Sequence, residues 1–154
     1  MIAEVTQALV DHLLSQTAEL GLTWIEVASL EAAAILTQDR LQVCLYAIDE
    51  QGLVRNASTT PTDQNAAPLA LRLSYVLHYS STDHLEVQRR LDRVIQVIRS
   101  TPVLSLDSLA GAVDRLEIRL HWPSAEELNS LWVAFGRGLR LAAYCQIDVA
   151  LTPP

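Results

Sequence analysis

There is no lysine anywhere in these 154 residues, and every basic position is arginine. Against 18 acidic residues the 11 arginines leave a formal net charge of −7. An acidic chain with scattered arginines matches a phosphate backbone poorly, so no nucleic-acid partner is expected. Two accounts of the missing lysine stay open: a genomic composition bias, or arginine forks kept for carboxylates at protein contacts. Long apolar runs are also missing, and none approaches the roughly 20 residues a membrane helix needs. The opening Met1-Ile2-Ala3-Glu4-Val5-Thr6 has neither the basic n-region nor the apolar stretch of a secretory signal, so cytoplasmic synthesis is expected. Cysteine is limited to Cys44 and Cys145 without a C-x-x-C spacing, which reads as two buried thiols and not as a metal or redox site.

Recognisable chemistry is absent as well. No glycine loop cradles a phosphate, and Ser80-Ser81-Thr82 has no histidine–acid partners at a recognisable offset. His78 and His121 would make a proton-transfer or metal pair only if their strands were neighbours. No third ligand or orienting carboxylate stands at matching spacing except Glu117. Solvated or interface histidines are the expectation. Asp49-Glu50-Gln51-Gly52 reads as a solvated turn, too poor in oxygen ligands for calcium. Gly136-Arg137-Gly138 reads as a helix stop followed by a reversal. No cofactor, no metal and no enzymatic activity are expected.

What is present is a well-patterned chain, half hydrophobic and of a length suited to one domain over 1–154. Val5, Leu9, Leu13 and Leu20 lie at helical spacing before Gly21. Trp24-Ile25-Glu26-Val27 is short and β-prone, while 41–48 is apolar on both faces, as a buried strand would be. A proline-punctuated polar segment, 55–68, reads as a loop that is either mobile or ordered by a partner. Strict alternation follows over 69–79, with Arg72, Ser74 and His78 on the polar face. Asp83-x-x-Glu86 is a capping-box pattern opening a helix that buries Val87, Leu91, Val94 and Ile98 and ends before Pro102. Leu116, Ile118, Leu120 and Trp122 alternate with Glu117, Arg119 and His121, a half-buried strand, and both Trp122 and Trp132 are expected in the core. Ser124-x-x-Glu127 opens a second capped helix with Leu128, Leu131, Trp132 and Phe135 as its stripe, and a last strand is expected over 139–151. The order α-β-β-β-α-β-α-β predicts an α+β domain, a mostly antiparallel mixed sheet with helices packed on one face. Its other face would carry Arg72, Glu117, Arg119, Arg140, Tyr144 and Asp148, either as a protein-contact surface or simply solvated.

The ordered block resembles the cap, or tube-and-sheath terminator, proteins of extracellular contractile injection systems, which are related in form to phage tail terminators. The matching residues are Leu45-Tyr46, Leu53-x-Arg55-Asn56 and Pro68-Leu69-Ala70-Leu71-x-Leu73-x-Tyr75-Val76-Leu77. They continue through Asp83 and Glu86, Pro102-Val103-Leu104, Leu128-x-x-Leu131-Trp132 and Leu141-Ala142-Ala143-Tyr144, so the resemblance spans 6–151. It departs at Val43, Gln88 and Ala142, where relatives often have asparagine, glycine and serine. The resemblance implies a structural protein forming a ring, expected to be hexameric, that ends the inner tube and holds the end of the sheath. Its implied partners are copies of itself and tube and sheath subunits, within a phage tail-like particle assembled in the cytoplasm. Contacts are expected from Leu53, Arg55, Asn56, Arg72, Arg119, Arg140 and Tyr144. The alternatives are a phage-type tail completion protein, a generic adaptor, and a small enzyme using His78 and His121.

Overall fold

In the computed structural model, residues 2–34, 36–51, 69–104 and 116–151 are described. The 55–68 segment and the expected contacts Leu53, Arg55 and Asn56 lie outside the described residues. Helix α1 (Ile2–Gln16) turns Val5, Leu9 and Leu13 into the core. A 3₁₀ turn at Ala18–Leu20 follows and stops at Gly21, whose φ of 86° favours a residue without a Cβ. Then come β1 (Ile25–Val27), β2 (Arg40–Glu50), β3 (Leu69–Ser80), α2 (His84–Ser100), β4 (Val103–Leu104), β5 (Leu116–Leu120), α3 (Ala125–Ala134) and β6 (Ala143–Leu151). The strands form one sheet in the order β1-β2-β3-β6-β5-β4. Among the described strands only β1 and β2 run parallel; every other neighbouring pair is antiparallel. The α+β class and the mostly antiparallel mixed sheet are those expected, with the short β4 added before β5.

Period and capping explain most of these elements. Asp83 accepts hydrogen bonds from the amides of Leu85 and Glu86 at 3.0 and 3.3 Å, opening α2. Glu86 does not reach back to complete the box. Its carboxylate takes Arg90 at 2.7 Å, one turn along, because a charged partner outbids a neutral amide. Helix α2 buries Val87, Leu91, Val94 and Ile98 as expected, and Val97 besides. With α1 it covers a sheet face that includes Leu41, Val43, Tyr75, Leu77, Ile118 and Ile147.

Four expectations are corrected. Helices do not pack on one face alone: α3 lies over one end of the opposite face, where Trp132 meets Cys44, Val76 and Tyr144. That end of β3 is therefore buried on both sides, polar pattern notwithstanding. Strand β2 runs through Asp49 and Glu50 with no turn at Asp49, since Glu50 still pairs with Leu71 and the Gln51 amide donates to the Ala70 carbonyl at 2.8 Å. Trp122 is 69% exposed, whereas Trp132 is buried. The last strand begins only at Ala143, leaving Leu139 and Leu141 exposed. Trp122, Leu139 and Leu141 fall beyond the paired rungs, where no ladder holds the alternating pleat.

Candidate functional site

The sheet face opposite α1 and α2 divides into a covered end and an open end. At the open end, strand register sets Asp49 opposite Arg72, Arg72 opposite Asp148, and Asp148 opposite Glu117. The next rung carries Ala47, Ser74, Gln146 and Arg119. Arg72 grips Asp148 with two hydrogen bonds, Nε to Oδ1 at 2.8 Å and Nη2 to Oδ2 at 3.2 Å. Arg119 reaches the same Oδ2 through Nη2 at 3.0 Å. One carboxylate thus orients two guanidinium groups across three strands. Their side chains remain 28% and 47% exposed, so both can still meet an incoming surface. Arg72, Asp148 and Arg119 alternate in sign and are tied together by these contacts, which suits recognition of a matching charge pattern more than chemistry on a small molecule.

At the covered end the polar residues have turned inward. The Tyr144 hydroxyl accepts a hydrogen bond from Trp132 Nε1 at 2.9 Å beneath α3, and the residue is only 5% exposed. His78 is buried, not solvated. Its Nδ1–H donates to Gln42 Oε1 at 3.1 Å, and its ring meets Trp132 edge-on at 5.7 Å. Burial, with Arg137 and Arg140 adding positive charge nearby, pulls its pKa down from the usual 6.5 to about 4. Gln42 completes the arrangement by donating to the Thr37 carbonyl at 2.8 Å and to Glu26 Oε1 at 3.2 Å. His121 instead pairs with Glu127 at 3.3 Å, and β6 separates its strand from that of His78. The two histidines are therefore no pair. Among the described residues, no three His, Cys, Asp or Glu side chains are grouped to hold a metal ion. Cys44 and Cys145 are buried free thiols on opposite sheet faces, and burial pushes the Cys145 thiol up to about 12.

Of the contact residues expected from sequence, Arg72 and Arg119 come together, Tyr144 goes inside, and Arg140 stands exposed beyond the start of β6. Asp148, which organises the row, is legible in sequence only as one polar residue of the last strand; its role depends on register.

A family model described as the Pvc16 N-terminal domain matches residues 4–154. The chain belongs to that family. The PVC sheath/tube terminator in its extended state, solved by cryo-EM within an extracellular contractile injection system, has a similar fold. The TM-score is 0.70 at 18% identity, over 100% of this chain and 57% of that one. The anti-feeding prophage cap, a tube-terminating cap also solved by cryo-EM, gives 0.63 at 15% identity, over 100% and 56%. The chain therefore spans a little over half the length of each neighbour. No curated protein sequence matches the chain. Among the described residues of the domain, no helix is long and apolar enough to cross a membrane.

Proposed function

We propose that this chain acts as a terminator of a contractile injection system, closing into a ring that ends the inner tube and holds the last layer of the sheath. The observation that carries the reading is the family match over residues 4–154 together with a fold shared, over the whole of this chain, with a sheath/tube terminator. A terminator needs a rigid sheet, a side that joins head-to-tail with the next copy and closes, and a face that fits the last subunit layer. The Arg72–Asp148–Arg119 row supplies a rigid, sign-alternating surface for such a contact. A hexameric ring, contact with tube and sheath subunits, contributions from Leu53, Arg55, Asn56 and Arg140, and a place in a particle assembled in the cytoplasm belong to the same proposal. Neither catalysis nor a cofactor, nucleic acid or membrane enters it.

Deleting the gene tests the reading directly. Electron microscopy should then show tubes and sheaths of uncontrolled length or lost sheath attachment, restored by the full chain. Particles of normal length with normally anchored sheaths would refute a terminator role and favour a generic adaptor.

A further inference from the structure

Beyond the charged row, the molecule carries a second feature that the sheet does not explain. Helix α3 ends in a Schellman motif: the Gly136 amide donates to the Val133 carbonyl at 2.9 Å and the Arg137 amide to the Trp132 carbonyl at 3.1 Å. Gly136 takes φ 70°, and the reversal lays Arg137 back along the helix. Between the helix and the returning chain lies a groove of about 220 Å³, lined by Leu128, Trp132, Val133, Arg137 and Leu139. Val133 and Leu139 are 67% and 66% exposed, so its apolar rim faces water. The Nη1 of Arg137 is buried and has no hydrogen-bond partner. Arg90 shares that description, but its guanidinium stacks over Trp24 and Tyr79 and is held by Glu86. Among the described residues, nothing gives Arg137 comparable compensation. Burial, and then the positive charge of Arg140, lower its pKa. An orphaned, buried guanidinium N–H costs free energy until an acceptor arrives, most of all an anionic one.

We propose that this groove docks a segment of another protein in which an apolar side chain stands beside a carboxylate. The apolar side chain would fill the space between Val133 and Leu139, and the carboxylate would pair with the Arg137 guanidinium, whose Nη1–H turns toward it. The volume falls below the roughly 300 Å³ at the small end of cofactor and drug-sized sites, and suits one or two side chains. Charge complementarity selects an acidic partner. Among the described residues, carboxylates beside exposed apolar residues already have partners: Glu19, near Leu22, with Arg93; Glu26, beside Val27, with Gln42; Glu86, beside Leu85, with Arg90; and Asp49, beside Ile48, lies opposite Arg72 and interacts with its charge. A foreign segment therefore fits better than a second copy.

Titration of the ¹⁵N-labelled protein with two end-capped hexapeptides tests this, Ser-Asp-Leu-Leu-Gly-Ser and its Asn counterpart. The Trp132 indole and the Val133 and Leu139 amides should shift at millimolar peptide. The Asp peptide should bind about tenfold or more tightly than the Asn peptide, as a charge-assisted hydrogen bond requires. Arg137→Gln should abolish the difference, whereas Arg140→Gln, an exposed change, should only reduce it. Equal response to both peptides, or none at the groove, would overturn the proposal. Shifts at the groove that follow protein concentration without peptide would assign it to a second copy and overturn it equally. A changed backbone fingerprint in Arg137→Gln transfers the decision to the Asp–Asn comparison on the unaltered protein.

Discussion

His78 shows how far one side chain's behaviour depends on its surroundings. Neutral imidazole fits the site, because its Nδ1–H has an acceptor in Gln42 while Arg137 and Arg140 oppose a second proton. With a folded pKa near 4 and an unfolded value near 6.5, the unfolded chain binds the proton first as pH falls. The stabilisation is thus present above about pH 6.5 and is lost as pH drops toward 4, by about 1–3 kcal/mol from this group. Urea unfolding at pH 7, 5.5 and 4.5 checks it. His78→Asn should be less stable at pH 7 yet lose less stability across the window. His12, whose pKa burial also lowers, contributes in the same direction in both proteins. An identical pH slope in the two would mean that His78 stays solvated.

Among the elements, α2 most directly translates pattern into packing. Its cap and its buried stripe were both legible in the sequence, since each depends on neighbours within one or two turns. Leu91 is 5% exposed within that stripe, so Leu91→Ala should cost about 2–5 kcal/mol in denaturant unfolding. Leu85 on the same helix is 60% exposed, and Leu85→Ala should fall within about 0.5 kcal/mol of the parent. Similar losses at both positions would contradict the arrangement of helix on sheet. Helix α3 was less legible. Its apolar positions showed that one face is covered, but which side of the sheet it covers follows from the reversal after Gly136 and the start of β6 at Ala143.

For the whole molecule, the charged row separates stability from assembly. Arg119 and Asp148 are 47% and 40% exposed, and pairs so open to water contribute at most about 1 kcal/mol. Arg119→Glu should therefore leave the subunit folded, with unfolding free energy lowered by less than about 1.5 kcal/mol. If the row is desolvated against a neighbour, the same change should cost about 2–5 kcal/mol at the contact and prevent ring or particle formation. Sedimentation of the purified protein and microscopy of particles from the variant strain measure the two effects separately. Normal particles carrying Arg119→Glu would remove the row from the interface.

Local order and composition were the sequence's own determination. The missing lysine and the short apolar runs bounded the partners, while the alternation of 69–79 and the Asp83 and Ser124 caps set the α+β class and the succession of elements, because these rest on interactions a few residues apart. Tertiary structure alone decided what crosses between strands. Register placed Asp148 between Arg72 and Arg119, and the packing of α3 carried Tyr144 and His78 inside. A two-residue period says which faces alternate along one strand. It does not say which strand lies alongside or what covers it, and those are long-range facts settled only when the chain closes on itself.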